Sequence, residues 1–287
     1  MALNLFKRLF LLISFAWFGL SCMGQIPLFK VNVNDSVLSS LIEKNSHIKI
    51  ISVNDKTELD PYEYADCESL QTVEIGEGIE KIGEYAFWGC RNLKSISLPS
   101  SLKEIGEGAF RDCSSLQELI IPEGVKKIPA YMCAWDTMLR VVKLPPDLKD
   151  IGNHAFAYCY SLEQINIPFL VRHIGSNAFS SCKSLKEVSL PDSIEELESY
   201  AFSGCESLQK VKLPTNSYML GELIFTGCEN LKEIICLSPQ PPVFDCNSPL
   251  FDPMETDLWN QCNLILTPES QILYRQTPGW ELFFTSE

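Results

Sequence analysis

"IGEYAFWGCRNLKSISLPSSLKE" occupies residues 82–104, and residues 105–127 read "IGEGAFRDCSSLQELIIPEGVKK". Ile-Gly, Ala-Phe, Cys, Leu and Pro return at the same places. With Ile82 as position 0, one frame runs through eight 23-residue units without insertion or deletion. The units start at Leu59, Ile82, Ile105, Ile128, Ile151, Ile174, Leu197 and Leu220. The shared pattern is I-G-x-x-A-F-x-x-C-x-x-L-x-x-I-x-L-P-x-x-I-x-x. One such unit cannot bury its own apolar side, but a stack can, so the repeat predicts a solenoid. Outer copies drift from the pattern, as units with one neighbour missing do. The first has Glu63-Tyr64 for Ala-Phe, and the eighth fades after Ile234. Inside the array the fourth unit, 128–150, departs three times: Pro129 for Gly, Met132-Cys133 for Ala-Phe, and Asp136 for Cys.

Each part of the unit carries a local expectation. The segment Leu93-Lys-Ser-Ile-Ser-Leu98 alternates at its end and reads as a short strand, so stacked copies form a parallel sheet. The Pro that follows (99, 122, 145, 168, 191, 214) lacks an N–H and ends the strand. The stretch G-x-x-A-F-x-x-C spaces apolar residues three or four apart and predicts one short helical turn. A second short strand is expected at Leu102 to Ile105. Leu93, Ile96, Leu98, Phe110, Leu116 and their equivalents are expected to be buried.

This pattern resembles the cysteine-bearing BspA-like leucine-rich repeats of bacteria, also described from Treponema, over residues 59 to about 236. The end of the chain is similar too. "LSPQPPVFDC" followed by "CNLILTPESQILYRQTPGWELF" resembles the closing strand and helix of such proteins, with Leu266-Thr-Pro268 where they carry Tyr-Val-Pro. The resemblance implies an α/β fold: a right-handed leucine-rich-repeat solenoid with a parallel sheet on one face, turns and helical turns on the other, and a cap at each end. The organisation expected is a repeat array at 59–236 between an N-terminal cap at 26–58 and a C-terminal cap at 237–287. In the first cap, Asp35 reads as a helix N-cap and "HIKIISV" as a strand extending the sheet.

Residues 1–25 read as an export signal. Lys7 and Arg8 precede a 12-residue apolar run, Leu9 to Leu20, too short to span a bilayer. Two cleavage points compete. Cleavage before Cys22 makes a lipoprotein, although Gly19 stands where a lipobox usually has Leu; cleavage after Gly24 leaves Gln25 as a free N-terminus. Membrane association is expected only through such a lipid anchor. Without 1–25 the chain has 21 basic and 37 acidic residues, a net charge of −16. That surface makes nucleic acid a poor partner, because phosphate contacts need Lys and Arg.

Twelve cysteines in an exported chain suggest disulfides, but the spacing speaks against them. Cys67, Cys90, Cys113, Cys159, Cys182, Cys205 and Cys228 all hold position 8, one per unit. A disulfide between units would distort a regular stack, and a linear column cannot surround a tetrahedral zinc. They are expected to be buried free thiols capping backbone groups. Cys133 and Cys236 read as core substitutes, whereas Cys246 and Cys262 flank a loop in the C-terminal cap and could pair.

No catalytic, metal or cofactor motif is present. None of His47, His154 and His173 lies in HExxH, and no GxSxG or phosphate loop occurs. His154 holds position 3, where other units carry Tyr62, Tyr85, Tyr131 and Tyr200, so a half-buried place in the stack is expected. The chain reads as a binding protein for a protein or glycan partner, with host adhesion the role the resemblance implies. A structural spacer of an envelope complex is the alternative. Candidate contacts are Ile120 and Val141 on the sheet and Trp88, Trp135, Tyr158 and Tyr160 on the turns. Trp135 and Tyr158 share position 7 and should be neighbours along one edge. Against this, Trp135 could fold inward to fill the space left where Cys133 replaces Phe.

Overall fold

A computed structural model describes residues 31–32, 51–53, 57–216, 218–244, 250–252 and 261–284. The export signal with Cys22, the Asp35 cap, His47 and Cys246 lie outside the described residues.

Every strand pair is parallel, and each unit sits one period after its neighbour. On one face Thr72–Ile75 pairs with Ser95–Ser97, Glu118–Ile120 with Val141–Lys143, and Glu187–Ser189 with Lys210–Lys212, which pairs with Glu233–Ile235. Val73 faces Ile96, and Val188 faces Val211. The second short strands build a facing layer of two-residue strands in 23-residue register, Glu58–Leu59 through Glu104–Ile105 in one sheet and Lys127–Ile128 through Met219–Leu220 in another. Both sheets continue beyond the array. Ile51–Val53 pairs with Thr72–Ile75, Val243–Phe244 with Met219–Leu220, and Asn263–Ile265 with Glu233–Ile235. The helix Gln271–Gln276 and a 3-10 turn, Glu281–Phe284, then close the chain, packing Tyr274 and Trp280 inside. Among the described residues no helix is long and apolar enough to cross a membrane.

The turn between the two sheets is not the helical turn expected. N–H groups at positions 4, 6 and 8 bond back three residues, as from Ala86, Trp88 and Cys90 to Gly83, Tyr85 and Phe87. Those at positions 3, 5 and 7 reach the next unit instead, as from Tyr85, Phe87 and Gly89 to Glu107, Ala109 and Arg111. This alternation puts positions 3 and 7 in the left-handed region: Tyr85 has φ +52°, Gly89 +73° and Trp135 +72°. A helix would satisfy its amides within itself, whereas these turns use half of them to hold units together.

The core is two columns. Phe87, Phe110, Phe156, Phe179, Phe202 and Phe225 are fully buried, and neighbours stack at 5.2–6.0 Å where the column is unbroken. Beside them run the thiols, all free. Cys90, Cys113, Cys159, Cys182, Cys205 and Cys228 each donate S–H to the carbonyl 26 residues earlier, at 3.1–3.3 Å. Burial pushes the thiols up, Cys90 to about 12, which keeps the donating proton on sulfur. In the fourth unit Met132 takes the Ala place and Cys133 the Phe place, both fully buried, so volume is kept within the turn.

Two expectations need correction. Ile96 and Leu98, and Leu144 at the place equivalent to Leu98, are only half-buried. The sheet breaks between Ser95–Ser97 and Glu118–Ile120, and the cleft there, lined by Ile96, Leu98 and Ile120, lets water reach them. The fifth unit also lacks a full strand, keeping one bridge from Gln164 to Val141.

Candidate functional site

The solenoid fixes where each candidate points. Trp135 begins the last tight turn of the fourth unit. Its N–H donates to Ala157 O at 2.9 Å, and its carbonyl accepts from Thr137 N at 2.9 Å. With the backbone so held, the indole projects outward and is 41% exposed. It stacks on Tyr158 of the next unit, centroids 3.9 Å apart and planes 15° from parallel. The inward alternative is thus overturned. Cys133 leaves no hole for the indole, because Met132 supplies the missing volume in the same turn.

Tyr158 is half-buried and meets Tyr160 edge-on at 6.3 Å, and Lys183 lies over the Tyr160 ring at 5.5 Å. These three aromatics form one cluster. Trp88 does not join it: it is half-buried two units away, and its carbonyl accepts a hydrogen bond from Asp66 N at 2.6 Å. On the sheet, Ile120 and Val141 are 52% and 42% exposed. They lie on adjacent strands but not directly opposite, since Val141 faces Glu118 and Ile120 faces Lys143.

Met138 belongs with these residues and was missed. It is 41% exposed and lies midway in sequence between Trp135 and Val141. The signal was present: position 10 is Ser or Asn in every other unit (69, 92, 115, 161, 184, 207, 230). Asn92 and Asn230 use it to donate to a carbonyl of the preceding unit, which Met cannot do. The fourth unit therefore carries a run of exposed apolar side chains from turn to sheet: Trp135, Met138 and Val141, with Ile120 on the unit before.

Electrostatics around the run are weak. Lys143 pairs with Glu118 at 3.1 Å in the open, and such pairs contribute little. His154 is half-buried and stacks on Tyr131 at 4.7 Å; burial first, then Arg111, lowers its pKa, so it sits in the stack as a neutral ring. Below the run, Asp136 is fully buried. Its Oδ1 accepts from Cys113 N at 2.7 Å while Oδ2 has no partner, and burial raises its pKa well above the carboxylate range. Cys262 is a buried free thiol.

Comparison with known proteins places this geometry. The BspA type leucine-rich repeat region matches residues 42–163 and 149–241, with six copies. No curated protein shows a significant sequence match. Among solved structures, a leucine-rich repeat protein from Bacteroides ovatus is 25% identical with a TM-score of 0.53, over 78% of this chain and 64% of that one. A leucine-rich cell surface protein from Faecalibacterium prausnitzii is 27% identical, TM-score 0.49, over 68% of this chain and 63% of that one. The Treponema pallidum leucine-rich repeat protein is 27% identical, TM-score 0.47, over 65% and 79%. The chain thus spans less than two thirds of the B. ovatus and F. prausnitzii proteins. The repeat frame, the parallel stack and the family match agree: the chain belongs to the BspA-type leucine-rich repeat proteins.

Proposed function

We propose that this chain is an exported binding module of the bacterial envelope that holds a protein partner on the exposed apolar run of its fourth unit. The observation that carries this reading is the indole of Trp135, 41% exposed on the turn and stacked on Tyr158. The Trp135 φ of +72° is the repeat's own at that place, shared by Gly89, Gly204 and Gly227 and equally by Asp66, Asp112, Tyr158 and Ser181. A bulky residue in that region costs about 1–2 kcal/mol. The fold accepts Gly, Asp or Ser at this place in other units, so the turn itself does not call for an aromatic, and the indole points to water. Trp is also the residue type most enriched at the energetic centres of protein interfaces. A glycan fits less well. Sugar recognition uses the free face of a ring, and Tyr158 covers one face of Trp135 at 3.9 Å while Lys183 lies over Tyr160. The leader at 1–25 and anchorage through Cys22 belong to the same proposal, since they would hold the module where such a partner is met.

The test is capture of partners by the mature protein from host extracellular matrix and, separately, from envelope extracts, repeated with Trp135→Gly. Glycine holds that position in three other units, so the variant relieves the backbone strain while losing one aromatic stack, worth about 0.5–1.5 kcal/mol. Its melting temperature should stay within a few degrees of wild type and capture should be lost. Unchanged capture by a folded Trp135→Gly protein would overturn the proposal.

A further inference from the structure

Position 1 of the repeat is glycine for a steric reason. A Cβ at Gly83 would lie 2.5 Å from Pro61 N, and one at Gly152 would lie 2.7 Å from Ala130 N, because the preceding unit's backbone passes directly over it. Two interior units break the rule: the irregular fourth with Pro129, and the seventh with Glu198. The Glu198 backbone keeps the repeat's bond, donating to Ile174 O at 2.9 Å as Gly175 does to Ile151 O. Its side chain runs back over the unit it crowds. Oε2 accepts from Ser176 N at 2.9 Å and from Ser176 Oγ at 2.6 Å, and Oε1 meets His173 Nε2 at 2.6 Å. Glu196, paired with His173 across adjacent short strands, brings Oε2 to 3.7 Å from the same Nε2. A departure from a packing rule that delivers a second carboxylate to a histidine marks function rather than drift.

We propose that His173, Glu196 and Glu198 form a site for a divalent cation, Zn2+ being the ion these donors suit. One imidazole nitrogen and two carboxylates are common zinc donors, and the three donor atoms lie within 4.8 Å of one another. Bonds of about 2.0–2.2 Å in a tetrahedron put donors roughly 3.3–3.6 Å apart. The ion therefore enters if His173 and Glu198 separate by under ~1 Å, with Glu196 already close. Glu198 is held for this: Ser176 engages Oε2 and leaves Oε1 to the ion, the outer support that metal-binding carboxylates need. The fourth coordination position faces solvent and is open to water or to a ligand atom.

A simpler account competes. Position 22 alternates in charge along the short-strand sheet (Glu58, Lys81, Glu104, Lys127, Asp150, His173, Glu196), and His173 could merely hold the cation's place in that ladder. That account has no use for Glu198, and the test exploits this. Zn2+ alone is titrated calorimetrically into the chelator-stripped native full chain, into Glu196→Gln and into Glu198→Gly. Glu198→Gly restores the repeat's own glycine and so keeps the fold. Glu196 keeps its backbone bond to Arg172 O at 3.1 Å, and its carboxylate is 47% exposed and 3.7 Å from His173, so its amide is also tolerated. The expected result is one Zn2+ per wild-type chain that Glu198→Gly loses and Glu196→Gln weakens at least ~100-fold, more than losing a supporting contact does. Equal Zn2+ uptake by wild type and Glu198→Gly, or no uptake by wild type, would overturn the site.

Discussion

Replacing Asp136 with the cysteine that its repeat position calls for should stabilise the protein, and more so as pH rises. Asp136 is fully buried, its Oδ1 takes the Cys113 N–H at 2.7 Å, and Oδ2 has no partner. An unsatisfied buried polar atom costs about 1–3 kcal/mol. A thiol in the same place keeps what Oδ1 does, because ladder sulfurs elsewhere sit against the N–H of the cysteine one unit back. It also adds an S–H donor aimed at the carbonyl 26 residues earlier, here Phe110, at the 3.1–3.3 Å seen in other units. At about pH 3, below the unfolded pKa, where the carboxyl is mostly protonated folded or unfolded, Asp136→Cys should therefore gain about 1–3 kcal/mol. Burial raises the folded pKa of Asp136 above its unfolded value. The stability linked to that proton is complete below the unfolded pKa, near 4, and is lost as pH climbs toward the folded one. Over that window wild type loses up to about 1.4 kcal/mol per pH unit, and the variant, whose thiol stays protonated, does not. Urea unfolding of both proteins at about pH 3, 5.5 and 7 measures the difference. A gain that is flat with pH would refute the buried neutral carboxyl, and a loss of stability at every pH would refute the interchange of Asp and Cys in the ladder.

Two further outcomes follow from the core. Phe156 is fully buried, stacked on Phe179 at 5.4 Å with only Cys133 at the matching place in the unit before; Phe156→Ala should cost roughly 3–5 kcal/mol in chemical denaturation, and a loss below ~1 kcal/mol would show that the column is not the core. The position-8 thiols should resist iodoacetamide in the native protein and all react in denaturant; mass spectrometry finding a Cys90–Cys113 or Cys182–Cys205 disulfide would defeat the thiol ladder.

What the sequence by itself determined is everything that depends on the period. A strict 23-residue repeat makes residue i the neighbour of i+23, so the parallel register, the phenylalanine and thiol columns, and the meeting of Trp135 with Tyr158 were legible before any coordinates. The tertiary structure decided what the period leaves open. It showed the turn to be non-helical, with Tyr85 and Trp135 left-handed, because the amides are shared between units, and no local pattern reveals where an amide finds its acceptor. It opened the sheet beside Ile96 and Leu98, which the repeat treats as equivalent to buried residues elsewhere. It turned Trp135 outward, since the volume lost at Cys133 was restored next door at Met132. And it brought Glu198 to His173, a pair 25 residues apart, one period plus two positions, which the frame alone leaves out of line. Periodicity assigns backbone neighbours; where a side chain reaches from there is set by its length, its rotamer and the space its neighbours leave.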